Sequence, residues 1–414
     1  MFAVRFNTQL LHGGTQRNER FGATLAPIYQ VSSFYHESAE DLEKIFANKK
    51  PGFAYTRIGN PTVSEFERRL NVIEGGFSTI AFSSGMAAIT NGLLALLQAG
   101  DEIIVSASLY GGTIDLFHDI AAFGITTHFV RTNDIAAFEA AISDRTRLIF
   151  AEVIGNPQLD VTDIARLAEC AHGHGLPLFI DNTVSTPYLV NPIKLGADVV
   201  VQSSSKYING SSNGISGVLT DAGKFQWSAE RFPALKDFIQ FGKFAYTAKL
   251  KNTLYHNFGA CLSPQNAFLN LIGLETLGLR VQRECDNALA LARWISQNYP
   301  AITVNYPGLQ SSPWHEIARR QFGERYGAIL TVRVGSKEKA FALINGLRLP
   351  LRASNIGDSK TLVLHPASTI SVHSSAAEQE AAGVFPDLVR ISTGFEDIED
   401  LIEDFRRVLD EILQ

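Results

Sequence analysis

Between Thr62 and Thr220 the chain repeats one pattern: a short apolar run, a turn, then a segment with apolar residues at helical spacing. Strand-like runs fall at 79–82, 102–106, 126–130, 147–152, 178–181, 198–202 and 217–220. Helical segments are expected at 86–98, 113–123, 135–142 and 163–172, with a turn of helix near 192–195. Runs such as Val199-Val200-Val201 are apolar throughout, as in strands covered on both faces. Strands that alternate with helices build parallel sheets with helices on each side. The fold class is therefore α/β, with a mostly parallel, doubly wound sheet.

The flanks read differently. Residues 1–60 have scattered apolar residues and many turn formers, and look like an arm that packs on another part of the molecule or on a neighbouring subunit. One helix is expected near 38–47, capped by Ser38 and Asp41, and another opened by a Thr62/Glu65 capping box and stopped at Gly75-Gly76. The large domain is set at 61–263, its last part (221–265) irregular and rich in aromatics. A long helix over 264–298 leads into a smaller C-terminal α+β domain, 264–414. Strands are expected there at 328–334, 361–364 and 389–392, and helices at 337–345, 376–382 and 397–413.

With 45% hydrophobic and 19% charged residues, the chain is an ordinary globular protein. Its net charge of −6, without a basic block, gives no reason to expect nucleic-acid or membrane binding. Cys170, Cys261 and Cys285 are too far apart for a zinc ribbon and odd in number, so a reducing cytoplasm is expected and the thiols read as buried packing residues. No signal peptide is expected. His172-Gly173-His174 sits at a helix end with no acidic neighbour in sequence, and reads as a solvated terminus rather than a metal site.

In open α/β sheets, ligands bind beyond the carboxyl ends of the strands. Four features fall there. Ser84-Gly85-Met86 joins a strand to a helix, where exposed N–H groups can hold an anion. Tyr110 heads the next such turn and can present its ring to a planar ligand. Asn156-Pro157 is followed one unit later by Asp181, a carboxylate able to pair with a cationic nitrogen. Ser203 and Ser205 alternate before Lys206, so both hydroxyls can face one way. Each alone also fits a plain strand–helix turn. Together they supply a phosphate cradle, a stacking ring, an anion for a ring nitrogen and a lysine amine, which is what a pyridoxal 5′-phosphate site requires.

The stretches YTRIGNPT, SSGMAA, LYGGT, DNTVSTPYL, GADVVVQSSSKY, SPQNAFLNLIGLETL, SNIGDSKTLVLHPAST and AAGVFPDLVRIS resemble the Cys/Met-metabolism group of pyridoxal-phosphate enzymes, of fold type I, and within it the O-acetylhomoserine sulfhydrylases. The resemblance implies that Lys206 carries the cofactor and shuttles protons, and that Tyr110 stacks on the ring and takes the substrate's amine proton. It implies that Asp181 pairs with the ring nitrogen and that Asn156 lies near the ring hydroxyl. Ser84, Gly85, Met86, Ser203 and Ser205 would hold the phosphate. Tyr55 and Arg57 would reach the phosphate of a neighbouring subunit, and Arg390 and Ser354 would bind the substrate carboxylate. It further implies a homotetramer and γ-replacement on an O-acylated homoserine by sulfide or a small thiol. The alternatives are a γ-lyase, whose members carry cysteine where Gly112 stands, and a cystathionine γ-synthase. The chain departs from the group's pattern at Ser205, in the loop 208–213, and at Ile370-Ser371.

Overall fold

A computed structural model describes residues 4–15 and 21–413. Its large sheet has seven strands: β1 Ser78–Phe82, β2 Glu102–Ser106, β3 Thr126–Val130, β4 Thr146–Glu152, β5 Leu178–Asp181, β6 Val199–Gln202 and β7 Gly217–Asp221. They lie in the order β1-β7-β6-β5-β4-β2-β3. Pairings among β2 to β6 are parallel, whereas β7 runs antiparallel to both β1 and β6. Alternate residues serve opposite faces. Ile103, Val105 and Phe179 join one buried cluster with the helix Gly85–Leu94, and Ile104, Leu178 and Ile180 join another with the helices Pro61–Glu74 and Ile164–Gly173. Apolar residues on both faces are what made the strands legible as continuous runs.

The helix Pro264–Asn298 starts with Pro264 at its first position and with Ser263 Oγ accepting from Asn266 N at 3.1 Å. Its 35 residues span roughly 50 Å. Leu274, Leu277, Val281, Ala288, Leu291 and Ile295 line its buried face. The C-terminal sheet packs near its far end: β8 Thr303–Asn305, β9 Ile329–Arg333, β10 Leu351–Arg352, β11 Leu362–Leu364 and β12 Leu388–Ser392, in the order β10-β11-β12-β9-β8. Only β10 and β11 pair in parallel. The helices Lys337–Gly346 and Ile398–Ile412 pack together beside it.

Several expectations need correcting. The cap of Pro61–Glu74 is Asn60, whose side chain accepts from Thr62 N at 2.9 Å. The Thr62 hydroxyl instead ties down the arm, accepting from Tyr29 N and donating to Pro27 O. The arm also holds a helix, Phe6–His12, and buries Leu10 against its own chain. The helix after β1 stops at Leu94 rather than at 98. The stretch read as irregular is helical over most of Pro233 to Phe258, in short 3₁₀, α and π turns broken at Gly242 and packed around the buried Leu235, Tyr246 and Leu250. Those turns are too short for the 3.6-residue period to register. Beyond the arm, β8, β10 and the helix His315–Phe322 also escaped the sequence. His172 has an acidic partner after all: its Nε2 lies 2.8 Å from Asp198 Oδ2. Among the described residues, no helix is long and apolar enough to cross a membrane.

Candidate active site

The carboxyl ends of β4, β5 and β6 and the start of Gly85–Leu94 border a cavity of about 220 Å³, closed on the other side by Arg390 of β12 and by the connecting segments that hold Ser354, Asn355, Ile356 and Ile370. A larger, shallower cleft of about 680 Å³ lies elsewhere, around His172 and Lys224, and includes none of the residues expected to hold the cofactor or substrate.

At one end of the cavity Ser84 Oγ caps the helix by accepting from Ala87 N at 3.0 Å. The first N–H groups of this helix have no partner within it, and its dipole favours an anion. Gly85 is required by close approach, since a Cβ there would lie 2.7 Å from Ser203 Cβ. Ser203 is held in turn by its N–H to Thr183 Oγ1 at 2.8 Å. Ser204 turns away to bond Ser216 Oγ. Ser205 borders the cavity, but its hydroxyl already donates to Ser216 O (2.9 Å) and accepts from Ser216 N (2.8 Å). It therefore staples the lysine turn to β7 and has one lone pair left.

Asp181 and Glu152 are register neighbours at the ends of β5 and β4, and both border the cavity. Burial pushes Asp181 up to about 6, against the bonds it accepts from the hydroxyl and backbone of Thr183. Burial and the nearby Asp181 push Glu152 well above the usual carboxylate range. Glu152 Oε1 accepts from Tyr110 N at 2.7 Å and so anchors the turn that carries the tyrosine. The Tyr110 ring lies over Gly112, where a Cβ would be 2.7 Å from Cε1. Any side chain at 112 would require this ring to shift.

Arg390, on β12, is 3% exposed. Its Nη1 donates to Asn156 Oδ1 (3.1 Å) and its Nη2 to Asn355 O (3.0 Å), while Nε is buried without a protein partner. Burial lowers its pKa to about 10, so it is still a cation at neutral pH. Lys206 Nζ donates to Asn355 Oδ1 at 2.6 Å. Burial first, and the charge of Arg390 second, lower the pKa of this amine.

Lys206, Asp181, Tyr110, Asn156, Ser203 and Arg390 thus share one cavity, together with Ser84, Gly85, Met86, Ser205 and Ser354. Tyr55 and Arg57 do not reach it within one chain. Arg57 stacks on the Tyr55 ring and donates to His256 O. The residues present fit pyridoxal phosphate. A helix start and the Ser203 hydroxyl suit its phosphate, and a buried carboxylate whose partners are both groups of Thr183 suits its ring nitrogen.

A model of the family described as Cys/Met metabolism PLP-dependent enzymes matches residues 7–410. The chain belongs to that family. It is 40% identical to the O-acetyl-L-homoserine sulfhydrylase of Corynebacterium glutamicum, over 96% of this chain and 95% of the relative. It is 38% identical to the homocysteine synthase of Schizosaccharomyces pombe, over 98% of each. A Campylobacter jejuni structure named as an O-acetylhomoserine (thiol)-lyase superposes with a TM-score of 0.94 at 32% identity, over 98% of this chain and all of that one; it contains a pyridoxyl-lysine monophosphate. The cofactor of this family member is pyridoxal phosphate, and its fold is type I.

The sequence did not single out Glu152, Thr183 or Asn355. Glu152 ends its apolar run as Asp181 does, and that parallel was the available signal. Thr183 and Asn355 sit inside quoted motifs, but their bonds to Ser203 and Lys206 cross to other segments.

Proposed function

We infer that this chain catalyses γ-replacement on an O-acylated homoserine, O-acetylhomoserine first, with sulfide or a small thiol. Acetate leaves, and the product is homocysteine, or methionine when the thiol is methanethiol. The observation that carries the reading is the convergence of Lys206, Asp181 and Arg390 on one cavity, from both sheets.

Bound pyridoxal phosphate would supply a cationic ring that draws charge from the substrate's Cα. Asp181 keeps that ring nitrogen protonated, because a cation beside it stabilises the ionised carboxylate against burial. Arg390 binds the α-carboxylate through donors left free by Asn156 and Asn355, a planar fork that lysine lacks. Tyr110 takes the proton of the incoming amine. Lys206, with its pKa lowered, moves one proton at a time: it takes the Cα proton, gives it up to the conjugated system that bound pyridoxal phosphate would supply, then as free amine takes one from Cβ as the acetoxy group leaves Cγ, and it reprotonates Cβ and then Cα after the thiol has added. Ile215, Ile356 and Ile370 present an apolar wall that favours a thiol over water at Cγ. Tyr55 and Arg57 serve the phosphate end of a neighbouring subunit's cavity. Exposed Tyr29, Val31 and Tyr35 on the arm support such a contact, and the assembly is a cytoplasmic homotetramer with sites shared within dimers.

The test is incubation of the purified protein with O-acetylhomoserine, with and without sulfide. Homocysteine that requires sulfide supports the reading. Accumulation of 2-oxobutyrate in either mixture would replace it with a γ-lyase.

A further inference from the structure

The loop after Lys206, where the chain departs from the family pattern, is tied to the lysine through the C-terminal sheet's side of the cavity. Lys206 Nζ donates to Asn355 Oδ1 (2.6 Å), and Asn355 Nδ2 donates to Ser212 Oγ (2.7 Å). Ser212 Oγ donates to Asp358 Oδ2, and Asp358 Oδ1 accepts from Lys360 Nζ at 2.8 Å. Burial opposes ionisation of Asp358, but its hydrogen bonds with Lys360 and Ser212 outweigh that and hold its carboxyl below the usual range.

Each bond in this string has only one possible direction. An ionised Asp358 can only accept, so Ser212 must spend its single proton there. The remaining lone pairs of Ser212 can only accept, which turns the NH₂ end of Asn355 toward it. The carbonyl end of the amide then faces Lys206. Ser212 holds a left-handed φ of 54°, an uncommon setting for a residue with a Cβ. Around it, Asn209 Oδ1 accepts from Ser211 N and Asn213 N, and Asn209 Nδ2 bonds Asn213 Oδ1. The loop is built to present the Ser212 hydroxyl.

We propose that Asn355 is the partner that holds the Lys206 amine whenever the lysine is not bonded to cofactor, and that Ser212, polarised by Asp358, is a positioning residue that fixes which end of the Asn355 amide faces the lysine. The inference rests on Lys206 being the reactive amine. An acceptor at this point stabilises the ammonium form and opposes Arg390, which destabilises it. The other charged or titratable groups around the lysine, Glu152, Asp181 and Tyr110, border the same cavity on the large-sheet side and are untouched by changes at 212 or 355.

The experiment uses cofactor-free full-length protein and competitive labelling with acetic anhydride across pH, read by mass spectrometry on the peptide containing Lys206. Asn355→Leu should move the labelling midpoint of Lys206 down by about one pH unit, the loss of one hydrogen bond to a charged group. Ser212→Ala, which touches no atom of Lys206, should move it the same way by roughly half as much. Asn355→Asp should move it up, because a carboxylate replaces the amide. A Ser212→Ala midpoint equal to the wild type's, with Asn355→Leu shifted, overturns the relay. An unshifted Asn355→Leu midpoint overturns the whole proposal. Asn355→Asp keeps the test decisive should the leucine variant not fold. Borohydride reduction of the wild-type holoenzyme checks the underlying reading separately: no pyridoxyl mass on Lys206 would sink that reading whatever the midpoints do.

Discussion

Gly85→Ala tests the anion cradle most directly. The added Cβ would lie 2.7 Å from Ser203 Cβ and 3.0 Å from its Cα, where ordinary contact begins at 3.4 Å. The start of the helix and the segment after β6 would have to part by roughly 0.7 Å. Ser203 has little room to retreat: its N–H is fixed to Thr183, and β6 is paired on both edges. Overpacking of this kind costs about 1–3 kcal/mol, or roughly 5- to 150-fold in an affinity that depends on the cradle. The assay is titration of the cofactor-free variant with pyridoxal phosphate and, in parallel, with pyridoxal, which lacks the phosphate. The phosphorylated ligand alone should lose affinity. Unchanged binding of pyridoxal phosphate would refute the cradle, and an equal loss for both ligands would show that the site as a whole had been disturbed.

Three further outcomes follow from the same geometry. Burial raises Asp181 from an ordinary carboxylate value to about 6, so the folded cofactor-free protein takes up a proton that the unfolded chain has shed between about pH 4 and 6. Stability from this group is therefore lost as pH rises through that window. Asp181→Asn should stabilise cofactor-free protein at pH 7.5 by on the order of 3 kcal/mol at most, read as a higher melting temperature, with the gain gone near pH 4 and turnover abolished throughout. Arg390→Lys cannot keep the bonds to Asn156 and Asn355 and also fork onto a carboxylate; KM for O-acetylhomoserine should rise at least about tenfold while cofactor absorbance stays unchanged, and an unchanged KM would remove Arg390 from substrate binding. Mixing inactive Arg57→Ala with inactive Lys206→Ala under conditions that exchange subunits should restore measurable turnover, because one hybrid site is then intact; no recovery would mean that the arm serves its own chain.

How much of this was legible in the sequence follows from physical range. The strands were readable because burial on both faces leaves a continuous apolar run, and Asp181 and Lys206 were readable because the first terminates such a run and the second follows one after a cluster of serines. The cap Asn60 was missed because Thr62 offers an equally good local pattern, and what decides between them is the tertiary bond from Thr62 to Pro27. Glu152 and Asn355 act through partners 42 and 149 residues away, Tyr110 and Lys206, which no local window contains. Ser205 was assigned by its alternation with Ser203, and alternation does identify the residues bordering the cavity. It does not reveal that Ser216 occupies the hydroxyl from both sides.

The antiparallel β7 also has a consequence for how the protein is made. β1 hydrogen-bonds to no other strand of its sheet, and their registers join residues 78–82 to 217–221. A nascent chain that ends before Gly217 has its lysine, its Asp181 and the glycine-bearing turn after β1, but no strand to hold that turn beside them. The anion cradle is therefore completed only after β7 has been made, by a contact of long sequence separation, the kind that closes slowly because loop entropy opposes it. Cofactor added during refolding should bind only after this edge has closed, so that its capture reports completion of the sheet rather than its initiation.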